Sequence, residues 1–184
     1  MNRNKLFLSL FVIVALVQIS LPAKMILDME DVINNGREFH FETAPIDPND
    51  PFRGKYIDLN FTDDFILSKD SSWMYGDEIY VSIRTGDDGF AEIEGVSRTE
   101  PQGTSDYIKT QVSYFDTEGK LYVEFPFDVY YMEESKAGDA EDAYRDSRSS
   151  EKPAFALVRI KDGNFSLLDV VIDGMSVKDL VEKQ

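Results

Sequence analysis

The sequence predicts a mainly β protein, a small antiparallel barrel or sandwich of about eight or nine strands with an N-terminal transmembrane helix and one short surface helix. Three observations predict it: an uncharged apolar segment near the N-terminus, apolar residues at every second position in several later runs, and turn sequences between those runs. A chain of 184 residues has room for one domain and an anchor. We therefore divide it into an anchor with a helical stem at residues 1–35 and an extracytoplasmic β-rich domain at residues 36–184.

The predicted anchor is an apolar segment between Lys5 and Lys24 that contains no charged residue. Its length lies at the short end of the roughly 17–25 residues of a bilayer span and exceeds the roughly 7–15 of the apolar part of a secretory signal. Cleavage after Ala23 would place Leu21 where a small residue is needed, so we interpret the segment as an uncleaved anchor rather than a signal peptide. Basic residues such as Arg3 precede it and acidic residues follow it. This predicts one span of the cytoplasmic membrane, with the N-terminus inside and the domain on the periplasmic or outer side.

The helix is expected to continue beyond the membrane as a stem. Apolar residues recur at helical spacing at Met25, Ile26, Met29 and Ile33. Two asparagines and Gly36 then end the helix.

Strand signals begin at residue 37, where Phe39 and Phe41 alternate with polar neighbours. The same period of two recurs at residues 78–84, 108–114 and 121–125. In the second of these runs the alternation places Tyr114 on the same face of the strand as Ile108 and Val112.

Turn sequences separate the runs. Asp162-Gly163 lies between the two most apolar runs, at residues 154–160 and 165–172, and predicts a type I′ turn between strands covered on both faces. Residues 87–89 and 117–119 predict two further hairpins.

Two segments depart from the strand pattern. Residues 133–150 are polar, and we predict a short surface helix at about residues 140–145, with a mobile loop as the alternative. Residues 176–182 predict a final short helix or strand.

Charge and composition exclude several functions. The formal net charge is −16, and the first 24 residues hold only basic charges, so the domain is more acidic still. Such a surface repels nucleic acid and anionic lipid headgroups. The chain contains no cysteine, which excludes disulfides, thiolate zinc sites and cysteine nucleophiles. His40 is the only histidine and is predicted to be exposed, so neither a zinc site nor a Ser-His-Asp triad is expected. We predict no cofactor, no metal and no enzyme activity.

A proline-rich loop is the most distinctive feature of the chain. Three prolines at positions 45, 48 and 51 each fix φ, and the side chains between them accept backbone hydrogen bonds locally. Gly54 permits a positive φ, and a short alternating strand follows at residues 56–61. A loop made rigid in this way loses little entropy when it binds a partner.

This stretch resembles the GDYXXLXY-motif family, small bacterial membrane-anchored proteins of unknown function. Gly54, Tyr56 and Leu59 match the motif, whereas Lys55 replaces its aspartate and Phe61 its last tyrosine. Several other segments also resemble family segments: Gly36-Arg37-Glu38, Pro45, Asp47-Pro48, Asp50, Phe52-Arg53-Gly54, Ser97-Arg98-Thr99 and Tyr130-Tyr131-Met132-Glu133-Glu134. The resemblance implies a periplasmic or outer-facing β domain and a partner among multi-span membrane proteins. It implies no catalytic residue.

The candidate binding site takes in the loop and the strand that follows it. Its predicted members are Asp47, Asp50, Phe52, Arg53, Gly54, Tyr56 and Leu59. Three interpretations of the loop stay open. Arg53 pairs with a nearby aspartate and the loop packs on itself, or Arg53 clamps a partner's carboxylate, or Asp47 and Asp50 bind Ca²⁺. Five tyrosines, at positions 107, 114, 122, 130 and 131, either line a ligand groove or pack across strands, and packing is the favoured interpretation.

The sequence therefore predicts a non-enzymatic, membrane-anchored accessory protein that binds a membrane or envelope protein through residues 47–56. Arg53 would be the charged contact, with Phe52 and Tyr56 as the apolar ones. The alternative is a binding module for a small molecule, a peptide or a cation. A third and less favoured possibility is a hydrolase with a Ser–Lys dyad or a carboxylate pair, for which the chain offers no specific motif.

Overall fold

A single long helix opens the structure. The computed structural model describes residues 3–44, 56–131 and 154–182. Helix α1 spans Arg3–Asn35 and is therefore about 50 Å long. The part Phe7–Asn35 is largely exposed, and its length and composition would allow it to cross a membrane. It ends one residue before Gly36, which confirms the predicted end of the stem.

The rest of the described chain is mainly β. Its twelve strands are β1 Arg37–Ala44, β2 Tyr56–Asp58, β3 Asn60–Phe61, β4 Phe65–Leu67, β5 Glu78–Thr85, β6 Ala91–Ser97, β7 Tyr107–Phe115, β8 Lys120–Glu124, β9 Val129–Tyr131, β10 Ala154–Lys161, β11 Asn164–Ile172 and β12 Met175–Ser176. Helix α2, Val177–Glu182, follows. The described strands outnumber the predicted eight or nine because β2, β3, β4, β9 and β12 have only two or three residues. A period of two cannot be recognised over so short a run.

The strands form two antiparallel five-stranded sheets. The first sheet has the order β12-β11-β10-β1-β3, and the second has the order β4-β8-β7-β5-β6. Strands β2 and β9 pair with each other beside them. The second sheet curves until its edge strands β4 and β6 approach each other, so it is nearly a barrel. Asp63 closes part of this seam, because its carboxylate accepts a hydrogen bond from the Ile93 amide at 3.2 Å.

The two sheets bury one common core. Its centre is a group of phenylalanines contributed by four separate parts of the chain: Phe41, Phe61, Phe125, Phe127 and Phe165. Phe41 lies 4.9 Å from Phe127 between ring centroids, and most of the pairs meet edge to face. Edge-to-face contact suits the charge distribution of aromatic rings. This centre supports the end of β1 and the start of β3.

The predicted hairpin at Asp162-Gly163 is confirmed. Both residues have positive φ, 49° and 81°, as a type I′ turn requires. The same dipeptide recurs at Asp173-Gly174, where the φ values are 53° and 75°, and it joins β11 to β12. Strand β11 was predicted to be covered on both faces, but most of its side chains are half-buried, so its outer face is only partly covered.

The predicted placement of Tyr114 on the same face as Val112 is wrong. The pairing of β7 with β8 shifts by one residue after Val112, which is a β-bulge. A shift of one residue moves every later side chain to the opposite face. Tyr114 is therefore exposed and stacks beside Tyr122, while Phe115 packs toward the core.

Two further predictions concern the last third of the chain. The expected short helix at about residues 140–145 lies outside the described residues. The short helix predicted for the tail is confirmed as α2, with Val177 fully buried.

Candidate recognition site

The second half of the motif stretch is built into the core. Leu59 is buried, and its backbone N–H donates to the carbonyl of Asp128 at 2.6 Å. Phe61 is also buried, within the phenylalanine centre. The Leu and the last aromatic position of the motif therefore serve folding in this chain. Leu59 was included in the candidate site on the motif alone, and its side chain lies under the surface.

Strand β2 carries the motif tyrosine and pairs with β9. Tyr56 is opposite Tyr131, and Asp58 is opposite Val129. Between them, Tyr130 is buried and its hydroxyl donates to the Asp169 carboxylate at 3.0 Å. Burial, followed by the nearby Asp169 charge, raises the pKa of Tyr130 well above its ordinary value. The phenol thus stays neutral and keeps the strand pair fastened to β11.

The other predicted site residues lie outside the described part of the chain. These are Asp47, Asp50, Phe52, Arg53 and Gly54, so neither their contacts with one another nor the ion pair expected of Arg53 is described. The structure does place their flanks. Ala44 ends β1 opposite Asn60 of β3, and Tyr56 begins β2. Both flanks belong to regular strands, with the buried Thr43 next to one and the buried Tyr130 of β9 close to the other.

These flanks lie at the end of β1 that is remote from helix α1. Arg37 follows the helix, and Ala44 is seven residues farther along, about 23 Å in an extended strand. The second undescribed segment starts and ends at the same end of the sheet. Its flanks are Tyr131 and Ala154. Tyr131 is paired with Tyr56, and Ala154 precedes Phe155, which is paired with Glu42 near the end of β1.

At its other end, β1 is joined firmly to helix α1. Val32 is buried against the first sheet, and the Gly36 N–H donates to its carbonyl at 2.8 Å. Lys161 pairs with Asp31 at 2.6 Å, and the Arg159 guanidinium donates to the carbonyl of Ile33. A side chain at Gly36 would collide with the Val32 carbonyl, since an added Cβ would lie only 2.4 Å from that oxygen. The helix and the sheet therefore meet at a fixed angle.

Sequence reasoning missed a second ordered surface, in the loop between β4 and β5. The Arg98 guanidinium lies 4.0 Å above the Trp73 ring centroid and donates to the Ser72 hydroxyl at 3.1 Å. Carboxylates of Asp70 and Asp77 lie 3.6 Å from it. Hydrogen bonds from Ser72 and the proximity of Arg98 lower the pKa of Asp70. Through Arg98, the Ser97-Arg98-Thr99 segment, which resembles a segment of the family, thus holds the loop between β4 and β5 in place.

Beside Arg98 the surface forms an open depression. Its lining includes Met74 and Glu78, and the neighbouring Tyr75 is exposed. The Arg98 guanidinium already has a hydroxyl and two carboxylates as partners, so the described residues that line the depression offer no unpaired cation to bind an anion. This surface could not have been predicted from the sequence, since Trp73 and Arg98 are far apart in the chain.

The tyrosines do not line one groove. Tyr107 and Tyr130 are buried with carboxylate partners, while Tyr114 and Tyr122 stack across neighbouring strands. This arrangement favours the packing interpretation. His40 is part-exposed, as predicted, and it stacks on Phe155 at 4.6 Å. Within the described ranges no group of three or more carboxylate or histidine side chains is placed to hold a metal ion.

Together the described elements define a class of protein: a β domain that one apolar helix joins at the first strand, with the motif strands packed beside the far end of that strand. A family model for the GDYXXLXY protein matches residues 18–170, and the chain belongs to this family. Comparison with curated proteins finds no match, and comparison with solved structures finds none either.

Proposed function

We propose that the protein is a non-enzymatic accessory protein of the cell envelope. Helix α1 spans the cytoplasmic membrane once with its N-terminus inside, and the β domain stands on the periplasmic or outer side. There, residues 47–56 bind a multi-span membrane protein or another envelope protein, with Arg53, Phe52 and Tyr56 as the main contacts. The alternative, a module for a small molecule, peptide or cation, lacks a specific supporting observation in the described residues.

One observation carries the proposal. The base of the loop is fixed to the core by Leu59 and Phe61 on one side and by the hydrogen bond between Tyr130 and Asp169 on the other. Three prolines restrict the backbone between these fixed flanks, which lowers the entropic cost of binding a partner. A fixed base of this kind supports a contact surface.

The membrane topology rests on charge. Arg3 and Lys5 precede the apolar part of α1, while Asp28, Glu30 and Asp31 follow it. The absence of native cysteine gives a clean test. Single-cysteine variants Asn2→Cys and Thr117→Cys would be treated with a membrane-impermeant maleimide. We expect labelling of Thr117→Cys in intact spheroplasts and of Asn2→Cys only after permeabilisation, and the reverse pattern would overturn the topology.

The recognition loop is tested by photo-crosslinking in cells. A photoreactive amino acid would replace Phe52 or Lys55, with Thr117 as the matched control in a turn on the other sheet. We expect one multi-span membrane protein or other envelope protein in the adducts of the loop probes, lost when Arg53→Ala is added and absent from the Thr117 probe. Equal background adducts from all three positions, with the protein correctly exported, would remove the loop as the binding site.

A further inference from the structure

A stripe of apolar side chains runs along the stem of α1, after the segment that fits the bilayer. Met25, Met29 and Ile33 are spaced by four residues, so they lie on one face of the helix, and Ile26 borders them. All four are exposed in the structure. Val32, three residues after Met29, lies beside the stripe and is buried in the domain. The stripe therefore ends in the corner between the stem and the first sheet.

Lipid does not cover the whole stripe. The uncharged residues that precede Lys24 span about 27 Å as a helix, nearly the 30 Å of a hydrocarbon core. Met29 is six residues past Ala23, and Ile33 is ten, so these side chains stand about 9 and 15 Å beyond it. The acids of the stem, beginning with Asp28, mark this stretch as the aqueous side.

The charge of the chain indicates which kind of partner covers the stripe. Two parallel copies would bring their acidic stems side by side, and each chain has a net charge of −16, so a second copy is repelled. Asp28 pairs with Lys24 of the same stem, whereas Glu30 lies exposed beside the stripe, and a partner with basic residues at that height complements its charge. Since the stripe follows directly on the apolar segment proposed to span the membrane, its occupant is itself a membrane helix that extends past the bilayer.

We propose that the stripe formed by Met25, Met29 and Ile33 docks a transmembrane helix of the partner protein, with lysine or arginine residues just outside the bilayer. This inference rests on the proposed function in that the partner is a membrane protein. It adds a second contact at the stem, at the end of β1 opposite to Ala44. The joint at Val32, with the pair between Lys161 and Asp31, then sets the stripe at one angle to the domain.

The stem contact is tested in the full chain in its native membrane. A photoreactive residue would be placed at Met29, which is 44% exposed, with Leu27, 64% exposed on the other side of the same helix, as the matched control. We expect Met29 to give an adduct with the same multi-span protein that the probe at Lys55 captures, and Leu27 to give none. Met29→Asp should lower recovery of the partner in a detergent pull-down by about tenfold, and Leu27→Asp should not.

The outcomes separate this inference from the proposed function. A Met29 adduct with a multi-span protein supports the stripe even if the Lys55 probe is silent, in which case only the loop hypothesis fails. Adducts from Lys55 but not from Met29 overturn the stripe and leave the loop in place. Capture of a second copy of the chain, capture of lipid alone, or equal adducts from Met29 and Leu27 would also overturn it.

Discussion

Strand β1 connects two ends of the molecule that are held in different ways. At its start, the stem joins the sheet through one buried valine and a few polar contacts near the surface, including the pair between Lys161 and Asp31. At its finish, the chain is held by the phenylalanine centre, into which Phe61 of the neighbouring strand inserts. The contacts at the start of β1 set the angle between the helix and the sheet. The contacts at its finish set the position of the strands that flank the loop.

The two kinds of support differ in strength. Exposed ion pairs contribute about 0–1 kcal/mol each, whereas removing a buried aromatic ring costs about 3–5 kcal/mol. Damage to the loop end should therefore unfold the domain, while damage to the stem end should mainly free its orientation. The predictions below test this difference.

The largest effect is expected at the loop end. Phe61→Ala leaves a cavity beside the rings of Phe41, Phe125 and Phe127 and should lower the free energy of unfolding by about 3–5 kcal/mol. Urea denaturation of the detergent-solubilised protein, followed by Trp73 fluorescence, measures the change. The matched control is Tyr114→Ala, which removes an exposed ring from the second sheet and should cost less than about 1 kcal/mol. Equal losses would contradict a core role for the motif's last aromatic position.

The second effect is expected at the stem end. Val32→Asp places a charge in the buried joint and should release the helix, while the domain loses no more than about 2–3 kcal/mol because its own core is untouched. Spin labels on cysteines introduced at Leu27 and Thr117 report the angle as a distance distribution, which should broaden markedly. Ile33→Asp, at an exposed position of the same turn, serves as the control. An unchanged distribution in Val32→Asp would show that the polar contacts alone fix the angle.

The long elements of this fold are predictable from sequence, because their signals are local. Phe39 and Phe41 alternate with polar residues, and both are buried as that pattern requires. The turn at Asp162-Gly163 carries its own φ preference. Tyr114 was placed on the wrong face because a β-bulge arises from pairing between strands, which no single-strand pattern records.

The candidate site was less predictable, and for a physical reason. A sequence motif shows which residues recur together, but it does not show whether each residue serves folding or binding. Leu59 was grouped with the loop on that basis, and only its burial assigns it to the core. The contact between Arg98 and Trp73 depends on tertiary structure, so no local pattern predicts it.

A smaller effect is expected where the loop base meets β11. Tyr130→Phe removes the hydrogen bond to Asp169 and should lower the free energy of unfolding by about 1 kcal/mol. The carboxylate keeps the hydrogen bond from the Val170 amide at 2.8 Å, which limits the loss. Denaturant melts compare the variant with Tyr122→Phe, a substitution on the outer face of the second sheet. A loss in Tyr130→Phe no larger than in that control would mean that apolar packing alone holds β9.

The smallest effect is a pH dependence at Asp64, which lies at the seam of the second sheet. Burial is the main cause that raises the pKa of its carboxyl above the ordinary 3.8, and the neighbouring Asp63 charge adds to it. The folded state therefore binds this proton more readily than the unfolded chain, so the stability that protonation gives is present at acidic pH and lost as pH rises through the folded pKa. Asp64→Asn should be more stable than the native chain at pH 7, by less than about 1 kcal/mol because the group is part-exposed, and the difference should vanish below about pH 4. Melting curves between pH 3 and pH 8, with Asp87→Asn in an exposed turn as the control, test the sign, and a difference that grows on acidification would refute it.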